Sequence, residues 1–151
     1  MSIQRQGDSN RSREISSRRS SDSRVLTRAL LSIRPQFAEA IFTGAKRYEF
    51  RRLTFKRPVD VVVVYVTSPV CEVWGEFEVG DIISDHPVAL WERTRDAAGI
   101  DRSAFLTYFA GKTEGFAIEI TKARRYELPL HIRRDFGLHP PQSFAYLDRE
   151  S

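Results

Sequence analysis

A single cysteine, Cys71, and a single methionine are the only sulfur-bearing residues among 151. One thiol excludes an internal disulfide framework and a cysteine-rich zinc site, and it suits a reducing compartment. Long apolar runs are also missing. The longest, residues 61–66, has six residues, far short of the roughly 20 that a membrane-spanning helix needs. The expectation is a soluble, cytoplasmic protein with no membrane partner. Histidine is sparse as well: His86, His131 and His139 form no i, i+4 pair and have no cysteine partners, so no metal site is expected. No G-x-S-x-G elbow is present. Gly111-Lys112-Thr113 imitates the end of a phosphate loop, but Leu106 stands where its first glycine belongs, which leaves a turn. No organic cofactor is called for. Cys71, opening a strand between apolar neighbours, reads as a small core residue.

What is present describes an ordinary globule, 41% hydrophobic and 29% charged, of a length that suits one domain. The net charge of +4 is unevenly spread. Residues 1–24 hold eight serines and six arginines against three acids, and so carry +3 of it. With so few apolar residues this segment cannot offset its ordering entropy, and it is expected to be a disordered tail. A passive extension, an over-extended start and a nucleic-acid arm are its alternative readings. It is not expected to be a secretory signal, since no apolar stretch follows Arg18-Arg19.

The body, residues 25–151, opens with a short buried strand at residues 29–33. Pro35 suits a first helical turn; Phe37, Ala38, Ile41 and Phe42 recur at helical spacing; Gly44 supplies the stop. Residues 46–51 alternate as a strand does, with Tyr48 and Phe50 opposite Arg47, Glu49 and Arg51. A basic loop, a β-branched strand at 60–67, and one long strand (or two, broken at Gly75 or Gly80) over 70–83 follow. Helices are expected near 87–98, with Asp85 a candidate cap, and from Asp101, a candidate N-cap. A strand over 114–125, a helical piece over 130–136 and an extended end complete the chain. Trp74 and Trp91 fit either a core or an exposed apolar patch. The order β-α-β-β-β-αα-β argues an α+β fold, a small and mostly antiparallel sheet curled towards a barrel.

Charge in the body is polarised. Residues 46–57 carry six basic side chains and one acid, whereas residues 72–85 carry five acids and no lysine or arginine. Within the basic stretch, Gly44-Ala45-Lys46-Arg47-Tyr48-Glu49-Phe50-Arg51 fits G-x-K-x-x-E-x-R and resembles the signature of the ASCH family. Ala29-Leu30-Leu31-Ser32-Ile33-Arg34-Pro35 is similar to that family's opening strand and helix start. Tyr65-Val66-Thr67-Ser68-Pro69 looks like its central strand and turn, and Pro140-Pro141-Gln142-Ser143-Phe144-Ala145-Tyr146-Leu147 like its closing segment. The resemblance covers about residues 28–147. It implies a PUA-like β-barrel flanked by short helices and an RNA-binding or nucleotide-binding role in RNA metabolism or in the regulation of transcription or translation. One branch resembles amidohydrolases that cleave acetylcytidine; another has been assigned ribonuclease activity. Glu49 stands where the amidohydrolase branch has its threonine, so a hydroxyl nucleophile is missing there.

The residue chemistry runs beside this. Lys46 can meet a phosphate, or act as a base if burial lowers its pKa. Arg51 is a planar fork for phosphate oxygens. Glu49 shares a strand face with Arg51 and can orient it. Lys46 is an odd step from Glu49, so the two converge only if Lys46 lies in a turn or bulge. Tyr48 is a stacking residue or, with Phe50, core. A plain hairpin salt bridge between Glu49 and Arg51 or Arg47 explains the same residues without any ligand. The expected nucleic-acid site is Lys46, Glu49, Arg51, Arg52, Tyr65 and Ser68, facing a single-stranded RNA or nucleotide. In the enzymatic alternative, a metal-independent ribonuclease or an amidohydrolase on a modified nucleoside, Lys46 is the base and Glu49 the acid.

The tail yields the first prediction. An arginine arm binds RNA through counterion release, at about −0.7 in log K against log salt per phosphate neutralised. Deleting residues 1–24 should weaken RNA binding at low salt and flatten the slope by up to about four units, while any preference between two RNA sequences survives. A salt titration of both chains checks this; an unchanged slope makes the tail a passive extension.

Overall fold

The computed structural model describes residues 25–147; the expected tail over 1–24 lies outside them. Six strands form one sheet in the order β2-β5-β4-β3-β1-β6. They are β1 (Arg28–Ile33), β2 (Tyr48–Arg51), β3 (Val61–Val66), β4 (Glu72–Asp85), β5 (Gly115–Leu130) and β6 (Phe144–Tyr146). The helices are α1 (Pro35–Thr43), α2 (Pro87–Thr94), α3 (Arg102–Tyr108) and α4 (Ile132–Phe136). The sheet curls into a half-barrel, so the α+β, PUA-like barrel with short flanking helices is what the chain adopts. Among the described residues no helix is long and apolar enough to cross a membrane.

The one parallel pairing, β1 with β3, lies inside the sheet; β3 is apolar at every step and β1 at all but Arg28 and Ser32. Ala29, Leu31 and Ile33 of β1 and Val62, Val64 and Val66 of β3 face the main core, against Ala38 and Ile41 of α1. Leu30, Val63 and Tyr65 face the opposite way, towards α4. The register between β3 and β4 shifts at Val64/Tyr65, with Val64 opposite Gly75 and Tyr65 opposite Val73, so Trp74 is an extra residue, a bulge. That bulge lets Val73 and Phe77 of one strand serve different cores. Gly75 continues β4 where a break was conceivable. A Cβ there would collide with the Arg124 carbonyl and the Phe42 ring.

A second core lies between the sheet and the α2–α3 pair. Phe105 is wholly buried among Phe50, Phe109 and Trp91 at ring separations of 4.8 Å, 4.8 Å and 5.1 Å. Trp91 is therefore core. Trp74 is half-buried, with Arg125 stacked 4.0 Å over its ring.

Several expectations need correction. Asp85 ends β4 and does not cap α2. With Pro87 at the first helical position the cap falls to His86, whose ring accepts from the Val88 N–H at 3.2 Å. Asp101 caps α3 as expected, accepting from the Ala104 N–H at 2.8 Å. Cys71 is exposed, at φ 56°, in the turn after the cis Ser68–Pro69 bond, because β4 starts one residue later. The acidic stretch is not a bare face. β5 runs on to Leu130 and brings Arg124 to 3.4 Å from Glu76 and Lys122 to 3.7 Å from Glu78, while Arg93 reaches Asp85 at 3.2 Å.

Truncating Phe105 to alanine empties the centre of the second core. Phe105→Ala should cost about 3–5 kcal/mol, read as a lowered urea midpoint with the cooperative slope unchanged.

Candidate nucleic-acid interface

The edges of the half-barrel, β2 and β6, do not pair with each other. Between them opens a cleft of about 860 Å³, within the range of ligand sites. Its walls include Ser32, Phe37, Lys46, Glu49, Phe50, Arg51, Arg52, Leu53, Tyr108, Lys112 and Ser143.

Lys46 enters this cleft because it lies in a turn. Gly44, at φ 91°, ends α1, and the backbone N–H of Lys46 then bonds back to the Ala40 carbonyl at 3.0 Å. The Arg47 N–H donates to Ala97 at 2.8 Å before β2 begins. Off the strand, Lys46 is released from the alternation that would have turned it away from Glu49, and the two share the cleft. The Lys46 side chain is 2% exposed. Its ammonium donates to the Ala98 carbonyl at 2.9 Å and lies 5.0 Å and 4.7 Å from the Phe37 and Phe50 ring centres. Burial pulls its pKa below the ordinary 10.5, and the Glu49 charge opposes that only in part. Gly99, at φ +67°, makes the approach feasible, since a Cβ there would overlap the Cβ and Cγ of Lys46.

Glu49 is 6% exposed and sits opposite Ile118 of β5, so its carboxylate points to the interior of the curled sheet. Arg51 meets it at 2.9 Å. The other amino group of Arg51 donates to the backbone carbonyl and the hydroxyl of Ser143, both at 3.0 Å. The expected Glu49–Arg51 salt bridge thus exists, but it is sunk in the cleft wall and spans the seam from β2 to the segment leading into β6. Arg52 is exposed, with Nε on the Tyr108 carbonyl at 2.9 Å and its guanidinium 4.7 Å over the Tyr108 ring. Burial raises the Tyr108 pKa.

Four of the six expected residues, Lys46, Glu49, Arg51 and Arg52, are therefore brought together; Tyr65 and Ser68 are not among the walls. Strand alternation turns Tyr65 to the opposite face of the sheet, among Leu30, Val63, Val73 and Ile132, where burial and the Cys71 thiol push its phenol up to about 12. Ser68 is exposed on the turn after β3. Tyr48 packs on the second core, which settles its two readings in favour of core. Sequence reasoning missed Tyr108, Ser143, Ala98 and Gly99. Only Ser143, within the quoted closing segment, carried a local signal. Among the described residues no three His, Cys, Asp or Glu side chains are grouped as metal ligands would be.

A curled six-strand sheet with a basic cleft at its seam is the PUA-like class of barrel. Within that class the chain belongs to the ASCH domain family, whose model matches residues 31–130. It is 30% identical over 129 residues to a Zymomonas mobilis protein named ASCH domain-containing ribonuclease, covering 81% of this chain and 85% of that one. It resembles the crystal structure of ASCH from Zymomonas mobilis at a TM-score of 0.74 and 27% identity, over 81% of this chain and 88% of that one. It is also 35% identical over 120 residues to a protein named ATP synthase subunit alpha from Ureaplasma parvum; the match takes 78% of this chain but spans only 15% of that relative's length.

The lowered Lys46 pKa fixes a pH signature. Between that lowered value and 10.5 the unfolded chain binds a proton at Lys46 that the folded chain gives up, so stability rises with pH across this window. Lys46→Met should remove that part of the slope and leave the fold as stable or more stable at neutral pH, as denaturation from pH 7 to 10.5 would show. A steeper slope in the variant refutes this account of the buried amine.

Proposed function

We propose that the cleft binds single-stranded RNA, with Arg51 and Arg52 meeting phosphate, Lys46 at its floor and Glu49 orienting Arg51. The observation that supports this most is the Glu49–Arg51–Ser143 bridge in the cleft wall. It holds the Arg51 guanidinium, its terminal amino groups on Glu49 and Ser143, as a fixed positive charge at the wall of an open cavity, beside a second arginine whose stacking on Tyr108 limits its freedom. Any sequence preference would come from base edges reaching the cleft, since phosphate contacts carry no sequence information.

A second reading, cleavage of the bound RNA without a metal, is favoured by two particular facts: the depressed pKa of Lys46 and the name ribonuclease borne by a relative that this chain matches over most of both lengths. In that reaction the neutral Lys46 amine takes the proton of a ribose 2′-hydroxyl. The 2′ oxygen attacks the adjacent phosphorus, the bond to the 5′ oxygen breaks, and that oxygen is protonated by water. A 2′,3′-cyclic phosphate and a free 5′-hydroxyl result, while Arg51 steadies the charge on the phosphorus oxygens. The pairing of Glu49 with Arg51 gives it an orienting role here in place of an acid's.

Lys46→Arg separates the readings, since arginine keeps the positive charge and cannot give it up. Under cleavage, the wild-type rate climbs with pH through a value below 10.5, and Lys46→Arg loses product formation by 100-fold or more, on the order of general-base contributions, while still binding RNA. Under binding alone, neither chain forms product in chelator. Wild-type and variant chains that both fail to retain RNA on a filter at low salt would defeat both readings.

A further inference from the structure

Tyr108 ends α3, the helix whose Phe105 is wholly buried in the second core, so packing alone sets its place beside β2. Its ring meets the Phe109 ring at 4.8 Å and carries the Arg52 guanidinium at 4.7 Å, while its carbonyl accepts from Arg52 Nε. Ring and carbonyl thus both hold Arg52, and the hydroxyl has no part in that support. The residue lines the cleft with Glu49, Arg51 and Arg52. The charges of all three act on the phenol oxygen, as does the Arg52 backbone N–H. Among the described residues no acceptor holds the phenol proton, and the hydroxyl is not sealed away as that of Thr54 is. Burial keeps its pKa above the ordinary 10, so the phenol is a neutral donor wherever the arginines are charged.

We propose that the Tyr108 hydroxyl donates to a non-bridging phosphate oxygen of the single-stranded RNA in the cleft, as an uncharged third contact on the phosphate met by Arg51 and Arg52; the proposal rests on the cleft's being an RNA site. A phosphodiester carries two non-bridging oxygens, each able to accept more than one hydrogen bond, so a phenol and two guanidinium groups do not compete for it. The phenol differs from the arginines in carrying no charge. It releases no counterion, yet a hydrogen bond to a charged acceptor is among the stronger ones. Its contribution is directional: it orients the phosphate that the arginines attract.

The test uses the full chain and a fluorescein-labelled 2′-fluoro oligouridylate decamer, which has no 2′-hydroxyl proton to lose, beside a decamer of the same backbone without bases. Tyr108→Phe keeps the ring under Arg52 and the carbonyl on its Nε, and removes only the hydroxyl. It should weaken binding by about tenfold or more at every salt concentration and leave the slope of log K against log salt unchanged. Arg52→Ala should instead flatten that slope by about 0.7. The loss in Tyr108→Phe should be equal for the two decamers. A Tyr108→Phe chain that binds both within about twofold of wild type overturns the contact while the cleft stands. A flattened slope in Tyr108→Phe overturns it too, because the hydroxyl then acts only by placing Arg52. A loss confined to the decamer with bases overturns the assignment to phosphate and moves the contact to a base edge. A wild-type chain that binds neither decamer overturns the RNA reading of the cleft as well.

Discussion

A curled sheet with six strands has two edges, and in this fold the side chain of a single half-buried arginine spans the gap between them. Arg51, at the end of β2, donates to Glu49 on its own strand and to Ser143 at the approach to β6. Ser143 is in turn tied to β1, since its carbonyl accepts from the Ser32 N–H at 3.0 Å, while the Ser32 hydroxyl bonds to Pro141 at 2.6 Å. A backbone ladder across the seam would have closed the barrel and left no room for a ligand. A side-chain bridge closes it with a cavity beside the bridge. With its side chains 12% and 7% exposed, the ion pair is also expensive to break, because removing one partner strands a charge in a poorly solvated wall. Fold and site therefore depend on the same atoms, and variants that keep either shape, as Glu49→Gln does, or charge, as Arg51→Lys does, disturb the wall less than alanine does.

Legibility from sequence followed the range of the interactions. The β1 strand, the α1 helix with Pro35 at its start and Gly44 at its end, the β3 strand and the Asp101 cap rest on neighbours within a few residues, and all are where periodicity and capping place them. The cleft was half legible. Lys46, Glu49 and Arg51 fall in one short motif, but what surrounds them comes from far along the chain: Ala98 lies 52 residues from Lys46, and Ser143 lies 92 from Arg51. No local pattern marks Gly99 as the residue that must lack a Cβ, because the atoms it would strike belong to Lys46. Tyr65 was misplaced for a related reason. A strand buried on both faces gives no polar side from which to tell which core a residue enters.

Electrostatic polarity reads differently once the pairing is known. The five acids of residues 72–85 suggested a negative face, yet the far half of β5 lays Lys122 and Arg124 beside two of them, and Tyr126 donates to Glu76 at 2.8 Å. Exposed pairs of this kind add little stability, about 0–1 kcal/mol each, but they cancel the field. The basic stretch is treated otherwise. Only Arg51 of its cations meets the acid within the stretch, and Arg52 is placed by the Tyr108 ring, which fixes position without neutralising charge. The surface potential of the described residues is therefore set less by composition than by which charges are given carboxylate partners and which are given tyrosines.

That distinction bears on Lys46 most of all. A lysine with its amine buried carries a desolvation cost that a methionine of similar length would not, and one hydrogen bond to Ala98 with two ring contacts returns only part of it. The lowered pKa is the measure of what is not returned. Displaced pKa values cluster at functional sites and arise also in structural ion-pair networks; here the amine lines a cavity. The same desolvation that weakens the folded state strengthens any attraction between the charged amine and a phosphate that displaces water from the cleft. The cost in the empty protein and the gain in the occupied one share one physical cause.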